Sequence, residues 1–175
     1  RTDSFNKKLV KIAAAGARAA GAEVTLVDLR DLPMPLYDAD LEAAEGLPAN
    51  AKKFKELMKS HKGLLISSPE YNSSISGVLK NAIDWASRAP NMPFDGKTGA
   101  IVGASGGALG TARSQRDLRW IMSGLNMYVV NLPHVYVGGA AQKFADGKLT
   151  DQASRDFIKQ LLENLRDLTL KFKAK

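Results

Sequence analysis

Residues 64–88 read LLISSPEYNSSISGVLKNAIDWASR, and more than any other stretch they set the architecture. The apolar run Leu64–Ile66 has the length and composition of a buried parallel strand. Pro69 ends that run because proline lacks the N–H that a β-ladder needs. A polar loop follows, and Ser76 is positioned to cap a helix whose apolar stripe begins at Val78. The order strand, polar loop, helix is typical of open α/β sheets, in which ligands bind beyond the carboxyl ends of the strands.

The sequence of this stretch resembles the signature of the NADPH-dependent FMN reductase family. The matching segments are SPEYN at 68–72 and SGVLKNAIDWASR at 76–88, although the family usually has proline in place of Ser76 and a bulkier residue in place of Ser73. Family members are small flavodoxin-like flavoenzymes, among them quinone, chromate and azo-dye reductases. The resemblance implies a three-layer α/β sandwich around a five-stranded parallel sheet of order 2-1-3-4-5.

The N-terminal residues, RTDSFN at 1–6, predict a phosphate-binding loop that leads into a helix capped by Ser4 or Asp3. Backbone N–H groups at a helix N-terminus, a hydroxyl and a guanidinium together suit a phosphate. From the residues of this segment alone, a capped surface helix is the preferred interpretation. The resembling family has Arg-x-x-Ser-x-Asn at its FMN-phosphate loop, and Arg1, Ser4 and Asn6 match that pattern.

The element order places a further strand ahead of Arg1. An α/β fold is expected to open with a strand, whereas the first element after Arg1 reads as a helix. Members of the resembling family carry such a strand, which ends in a short Gly-Ser loop. We therefore expect about 10–15 further residues before Arg1, forming the first strand of the sheet.

The rest of the chain alternates strands with helices in one domain, 1–175. Strands are predicted at Glu23–Leu29, Leu64–Ile66, Thr98–Ala104 and Met127–Leu132, and the last of these continues past Pro133 towards Val137. Helices are predicted at about 50–60, 76–88 and 108–124, and from about 151 to the end. The proline-rich segment between the Glu23 strand and the helix at 50 predicts either a packed connector or a lid.

Composition excludes several classes of site. The chain has 175 residues and no cysteine, which excludes disulfides, thiolate metal sites and thiol nucleophiles. The two histidines lie far apart and form no metal-ligand pattern, and no apolar run is long enough to span a bilayer. The net charge of +7 is compatible with nucleic acid, with small anions or simply with lysine-rich helix faces. We expect a cytoplasmic protein with small-molecule partners, and no nucleic-acid or membrane partner.

A competing hypothesis comes from GASGG at 103–107, which matches the G-x-S-x-G nucleophile elbow of serine hydrolases. Such an enzyme needs an acid and a histidine after Ser105, and Asp117 and His134 are the candidates. Asp117, however, lies inside a predicted helix and His134 follows Pro133 in a strand extension. In the resembling family, the matching glycine-rich turn lies against the flavin ring.

The resemblance implies an FMN-dependent NAD(P)H oxidoreductase. Hydride passes from NADPH or NADH through bound FMN to a quinone, chromate, an azo compound or free flavin, and no general acid or base is assigned. The expected FMN-binding residues are Arg1, Ser4, Phe5, Asn6, Pro69, Glu70, Tyr71, Asn72, Ser105, Gly106 and Gly107. A non-catalytic flavodoxin-type electron carrier is the alternative, because the fold alone does not separate carrier from enzyme. We also expect a homodimer or homotetramer, with contacts through the helix after Ser76 and the loop after Pro90.

Overall fold

The computed structural model describes residues 2–173, and its centre is a parallel β-sheet. The strands are β1 (Gly63–Ser67), β2 (Thr98–Ala104), β3 (Tyr128–Val129) and β4 (Val135–Val137). β1 pairs along its whole length with one edge of β2, from Gly63 opposite Thr98 to Ser67 opposite Val102. The other edge of β2 pairs with β3 at its start and with β4 at its end. The strands predicted from the Leu64, Thr98 and Met127 segments are therefore neighbours in the predicted order.

Helices cover both faces of this sheet. They are α1 (Phe5–Ala19), α2 (Ala39–Glu45), α3 (Ala49–Ser60), α4 (Gly77–Ala86), α5 (Ala112–Gly124), α6 (Ala140–Lys143) and α7 (Gln152–Lys173), with a single 3-10 turn at Leu29–Asp31 and a small hairpin of β5 (Phe144–Ala145) and β6 (Lys148–Leu149). Ser4 caps α1 by accepting from the Lys7 N–H, and Ser76 caps α4 by accepting from the Leu79 N–H, both at 3.4 Å. Both predicted caps are confirmed.

The core has two layers because side chains of a β-strand alternate between the two faces. Ile101 of β2 packs with the apolar side chains of α3, α4 and α5 on one face. Ala100, Val102 and Ala104 pack on the other face against α1 and α7. All seven residues of β2 are buried, as expected for the central strand of a two-sided sandwich.

The strand predicted at Glu23–Leu29 is not seen among the described residues. Residues 22–28 have no regular secondary structure and pair with no strand within residues 2–173. The segment is held instead by side-chain hydrogen bonds. Thr25 Oγ1 lies 2.9 Å from His61 Nε2, and the Arg18 guanidinium donates to the Val24 carbonyl. In the predicted order its only partner was the first strand, and no strand of residues 2–173 occupies that place. The five-strand order 2-1-3-4-5 is accordingly not seen among the described residues.

Three smaller features of the secondary structure differ from the prediction. α5 begins at Ala112 rather than at 108, because residues 108–111 complete a glycine-containing turn. The single strand predicted from Met127 to Val137 is divided into β3 and β4, with Pro133 between them. The short helices α2 and α6 and the β5–β6 hairpin were predicted as loops.

The proline-rich loop is a packed connector rather than a detached lid. The Pro35 carbonyl accepts hydrogen bonds from Asn81 Nδ2 and Trp85 Nε1, each at 2.8 Å. The Tyr37 N–H donates in turn to Asn81 Oδ1 at 2.8 Å. The loop is thus fixed to α4 through the side chains of Asn81 and Trp85, both within the 64–88 segment.

Within residues 2–173, none of the helices combines the length and the hydropathy that a membrane span requires. The same residues contain no cluster of three histidine or acidic side chains placed to hold a metal ion.

Candidate functional site

Asn6 connects the start of α1 to the carboxyl edge of the sheet. Its Nδ2 donates to the Ala104 carbonyl and its Oδ1 accepts from the Ala104 N–H, both at 2.9 Å. The Ser67 hydroxyl donates to the Asn6 carbonyl at 3.0 Å. Ser67 is the last residue of β1 and Ala104 is the last residue of β2, so one buried side chain ties the first turn of α1 to the ends of two strands.

The loop after β1 contains a tight turn at its tip. Tyr71 and Ser74 exchange two backbone hydrogen bonds of 3.0 Å, and the two residues between them, Asn72 and Ser73, have φ of 48° and 65°. Positive φ at both central positions defines a type I′ turn, which asparagine tolerates well. Tyr71 is 57% exposed, so its ring stands at the surface beside the carboxyl edge of the sheet.

Glu70 fixes this loop to α5. Its Oε2 accepts from the N–H groups of Arg113 and Ser114 at 3.0 and 3.1 Å, and its Oε1 lies 3.6 Å from the Arg113 guanidinium. The N-cap residue of α5, Thr111, makes no side-chain capping bond of its own. Glu70 therefore supplies the cap from a distant loop, and its side chain acts mainly in positioning.

The turn after β2 is built on close backbone approaches. A Cβ on Gly103 would lie 2.1 Å from Thr111 Oγ1 and 2.7 Å from the Ser68 carbonyl oxygen. A Cβ on Gly106, by contrast, would meet nothing within 4 Å. The inner part of this turn is closely packed, whereas Gly106 and Gly107 at its tip are exposed.

The same turn shows that no serine-hydrolase triad is assembled. The Ser105 hydroxyl donates to the Gly110 carbonyl at 2.6 Å. His134 Nδ1 lies 3.5 Å from an Arg119 nitrogen, and Asp117 pairs with Arg116. Among residues 2–173, no hydrogen bond links Ser105 with His134 or His134 with Asp117, and we set the hydrolase hypothesis aside.

The start of α1 is surrounded by paired charges. Lys7 Nζ lies 2.5 Å from Asp28 Oδ2, and Lys8 Nζ lies 2.5 Å from Asp3 Oδ1. Burial raises the pKa of Asp28, but the hydrogen bonds from Lys7 and from the Arg30 backbone outweigh it and hold the pKa below its ordinary value. Asp28 is thus ionised at neutral pH and keeps Lys7 engaged.

The predicted site residues converge on this edge of the sheet. Ser4, Phe5 and Asn6 lie at the start of α1, Pro69 to Asn72 lie in the loop after β1, and Ser105 to Gly107 lie in the turn after β2. Arg1 lies outside the described residues. That these residues bind FMN remains a prediction, and for Asn6 and Glu70 the side chains are already bonded within the protein.

Two further residues that support the edge were missed by the sequence analysis. Ser67 bonds to Asn6 as described above, and Phe144 of β5 packs on Phe5 with ring centroids 5.4 Å apart. A hydroxyl at the carboxyl end of a predicted strand was a signal for Ser67. Nothing near Phe144 in sequence points to Phe5, because their contact depends on how the β5–β6 hairpin returns to α1.

Chemically, this edge offers backbone groups, hydroxyls and an exposed aromatic ring. The titratable side chains on its α1 side form the ion pairs Lys7–Asp28 and Lys8–Asp3, and no general acid or base is assigned among them. Such a site is suited to holding a cofactor that brings its own reactivity.

Comparison with known proteins agrees with this interpretation. A family model described as NADPH-dependent FMN reductase matches residues 1–142. The NAD(P)H-dependent FMN reductase of Pseudomonas aeruginosa is 41% identical over 167 residues, which cover 95% of this chain and 88% of that protein. A quinone reductase of Escherichia coli is 38% identical over 161 residues, with 90% and 84% covered.

Among solved structures, the flavoenzyme FerB of Paracoccus denitrificans, an NAD(P)H:(acceptor) oxidoreductase, superimposes with a TM-score of 0.85. It is 31% identical, and the match covers 98% of this chain and 93% of that one. The parallel sheet between helix layers is therefore flavodoxin-like, as the resemblance implied.

Proposed function

The chain belongs to the NADPH-dependent FMN reductase family, and on that premise we propose that it is an FMN-dependent NAD(P)H oxidoreductase with quinone acceptors. The single observation that carries the proposal is the bridge from Asn6 to Ala104. It holds the predicted phosphate loop at the carboxyl ends of β1 and β2, beside the two loops predicted to hold the flavin ring. Three segments distant in sequence thus meet where the proposed function needs them.

The residues at this edge fit FMN. The first turn of α1, capped by Ser4, offers N–H groups to a phosphate. The open space around Gly106 lets a flat ring approach the backbone, which a side chain would prevent. We propose that Ser4, Phe5 and Asn6 line the phosphate side, and that Tyr71, Asn72 and the 105–107 turn border the ring. Arg1 would add a guanidinium to the phosphate.

When bound, FMN supplies the hydride chemistry between NAD(P)H and the acceptor. The chain positions the groups around it: Asn6 fixes the α1 N-terminus, and Glu70 fixes the loop that carries Tyr71. The exposed Tyr71 ring provides an apolar wall for a planar nicotinamide or quinone.

The proposal is tested by reconstitution with FMN followed by steady-state assay. We expect a yellow protein that retains FMN through gel filtration and oxidises NADPH or NADH when 1,4-benzoquinone is present. A protein that stays colourless after incubation with FMN contradicts the proposal. A protein that binds FMN but oxidises neither nicotinamide is instead an electron carrier.

The finer acceptor range is part of the same proposal. We infer that chromate, azo compounds and free flavin are also reduced, because the edge is open at Gly106 and Gly107 and the net charge of +7 attracts anionic acceptors. The location is proposed to be the cytoplasm, where NAD(P)H is supplied. Turnover compared among a quinone, chromate and an azo dye measures the range directly.

We further propose that the protein is a homodimer or homotetramer. Val78 on α4 is 59% exposed and Met92 in the following loop is 50% exposed, which supports the two contact regions expected from the sequence. Sedimentation of the FMN-loaded protein at micromolar concentration tests this, and a monomeric mass contradicts it.

Finally, we infer that the sheet has the order 2-1-3-4-5. Within residues 2–173, β1 pairs only with β2, and all five β1 residues are half-buried whereas β2 is fully buried. The unpaired edge of β1, and the irregular segment 23–28 that ends in Asp28 with extended backbone, support a strand between them. Hydrogen exchange tests this: the amides of residues 23–28 should be protected, and their rapid exchange overturns the inference.

A further inference from the structure

The turn at 71–74 carries backbone strain at its two central positions. Asn72 and Ser73 both have positive φ, of 48° and 65°. Asparagine tolerates this left-handed conformation, but serine has no comparable preference for it, and a type I′ turn usually has glycine at the second position. A strained turn persists only where the surrounding structure holds it. The contacts at the two ends of the turn therefore decide where its first residue, Tyr71, stands.

Both ends of this turn are bonded to one face of α5. Glu70, immediately before the turn, accepts from the Arg113 and Ser114 N–H groups at 3.0 and 3.1 Å. At the other end, the Ser74 hydroxyl donates to the Asp117 carboxylate. Asp117 follows Ser114 by three residues and Arg113 by four, which is the spacing of side chains on one face of a helix. Two carboxylates, one from the loop and one from the helix, thus hold the turn between them.

The Asp117 carboxylate is itself oriented by a neighbour. Arg116 donates to Asp117 Oδ1 from Nε at 3.1 Å and from Nη2 at 3.0 Å. The hydrogen bonds from Ser74 and from Arg116 lower the pKa of Asp117 below its ordinary value, so the carboxylate is ionised at neutral pH. A hydrogen bond to an ionised acceptor is stronger than one between neutral groups. Asp117 is thus a charged anchor for Ser74.

We propose that Asp117 is a positioning residue for binding of the electron acceptor, an inference that rests on the proposed function. Asp117 acts through Ser74: together with Glu70 it keeps the 71–74 turn in one conformation, so that the exposed Tyr71 ring forms a fixed wall for a planar quinone. Without this anchor the strained turn relaxes and the ring samples other positions. The acceptor then binds more weakly in the ground state and in the transition state alike, which raises KM and leaves kcat almost unchanged.

Hydrogen exchange of the flavin-free protein tests whether Asp117 holds the turn. The Tyr71 and Ser74 amides report on it, because each donates to the carbonyl of the other residue. Asp117→Ala and Ser74→Ala should each speed their exchange by about tenfold or more, and the double variant should exchange no faster than either single variant. Asp117→Asn keeps an acceptor oxygen for the Ser74 hydroxyl and should restore most of the protection. Wild-type exchange in Asp117→Ala overturns the proposal.

Asp167→Ala is the matched control. Asp167 accepts from Arg166 Nε at 2.8 Å, in an adjacent Arg–Asp pair on α7 of the same kind as Arg116–Asp117. Its removal should leave the exchange of the Tyr71 amide at the wild-type rate. An equal acceleration in Asp167→Ala and Asp117→Ala would show a general loss of stability and would overturn the proposal.

Steady-state reduction of 1,4-benzoquinone, with FMN held at a saturating concentration, tests the consequence for the reaction. Asp117→Ala and Ser74→Ala should raise the KM for the quinone about fivefold and change kcat by less than about twofold, with Asp117→Asn close to the wild type. An unchanged KM, or a fall in kcat alone, overturns the proposal. A wild-type protein that binds no FMN or reduces no quinone contradicts the proposed function itself, and the exchange measurement still decides whether Asp117 holds the turn.

Sedimentation of the same variants distinguishes positioning from assembly. Ser74→Ala removes one half-buried hydroxyl and keeps the test decisive if Asp117→Ala fails to fold. A raised KM at an unchanged sedimenting mass supports the proposal. If KM rises only in variants whose sedimenting mass has also changed, the carboxylate acts at a contact between chains, and the proposal is overturned.

Discussion

The Asn6 side-chain amide and the backbone of Ala104 form two reciprocal hydrogen bonds of 2.9 Å across a separation of 98 residues. An amide side chain that satisfies both backbone groups of one residue takes the place of a strand partner there. Since Asn6 is only 8% exposed, neither group of Ala104 has easy access to water as a substitute. The bridge therefore couples the geometry of the predicted phosphate loop to the stability of β2.

Asn6→Ala should accordingly destabilise the protein and weaken FMN binding together. It leaves the buried N–H and C=O of Ala104 unpaired, for a loss of about 2–4 kcal/mol in the free energy of unfolding. Urea denaturation of the flavin-free protein measures this, and FMN titration measures the affinity. Asn164→Ala is the control, because Asn164 donates only to the Leu132 carbonyl, and a loss below about 1 kcal/mol is expected. Equal losses in the two variants would contradict the role given to Asn6.

Local chemistry in the sequence was enough to predict the elements that are determined locally. Ser4 and Ser76 are read as helix caps because the capping bond spans three residues. β2 is predicted to the residue because its apolar run is bounded on both sides. A strand at Glu23–Leu29 is not seen in residues 2–173, because a β-strand forms only beside a partner strand and local composition does not show whether a partner is present.

The site shows the same division between local and long-range determinants. The loops predicted to form it follow from where strands end, and the structure brings them together at one edge of the sheet; that they bind FMN stays a prediction. The actual use of Asn6 and Glu70 could not be predicted, since each acts on backbone groups more than forty residues away. A polar side chain in a ligand loop can equally contact the ligand or fix the loop, and only the fold determines which.

Glu70 gives a second prediction, because it caps a helix that lacks a cap of its own. Glu70→Ala should lower the free energy of unfolding by about 1–2 kcal/mol, and Glu70→Gln by less, because glutamine keeps an acceptor oxygen for the Arg113 and Ser114 N–H groups. FMN affinity should fall in the same order as the 71–74 turn loosens. Glu56→Ala, which removes only a surface pair with Lys59, should cost less than about 0.5 kcal/mol. If Glu70→Ala were as stable as Glu56→Ala, the capping role would be wrong.

Substitutions at two glycines of the turn after β2 should distinguish an effect on stability from an effect on FMN binding. Gly103→Ala forces a methyl group against the buried Thr111 and the Ser68 carbonyl, and should cost about 3 kcal/mol of stability. Gly106→Ala places its methyl group in open space and should change stability by less than about 0.5 kcal/mol. If the flavin ring lies against this turn, Gly106→Ala should still weaken FMN by about tenfold. Thermal unfolding without flavin and fluorescence titration with FMN measure the two effects, and wild-type affinity in Gly106→Ala would place the ring elsewhere.

Asp151 provides a pH-dependent test at the start of α7. Its Oδ2 accepts from the Ser154 hydroxyl at 2.5 Å and from the Ser154 N–H at 2.9 Å, and these bonds, strengthened by Lys143, lower the pKa of Asp151 below its ordinary value despite partial burial. A carboxyl whose pKa is lower in the folded state stabilises the protein at pH values above its unfolded pKa of about 3.9. That contribution declines as the pH falls below this value, and it is lost once the pH passes the folded pKa. Asp151→Ala should therefore cost about 1 kcal/mol at pH 7 and less at pH 2.5. Urea denaturation at the two pH values measures the difference.

Asp156→Ala is the control for Asp151→Ala. It loses only a hydrogen bond from Gln152 and should cost less than about 0.5 kcal/mol at pH 7. A loss for Asp151→Ala that is the same at both pH values would show that its ionised form is not what stabilises the helix.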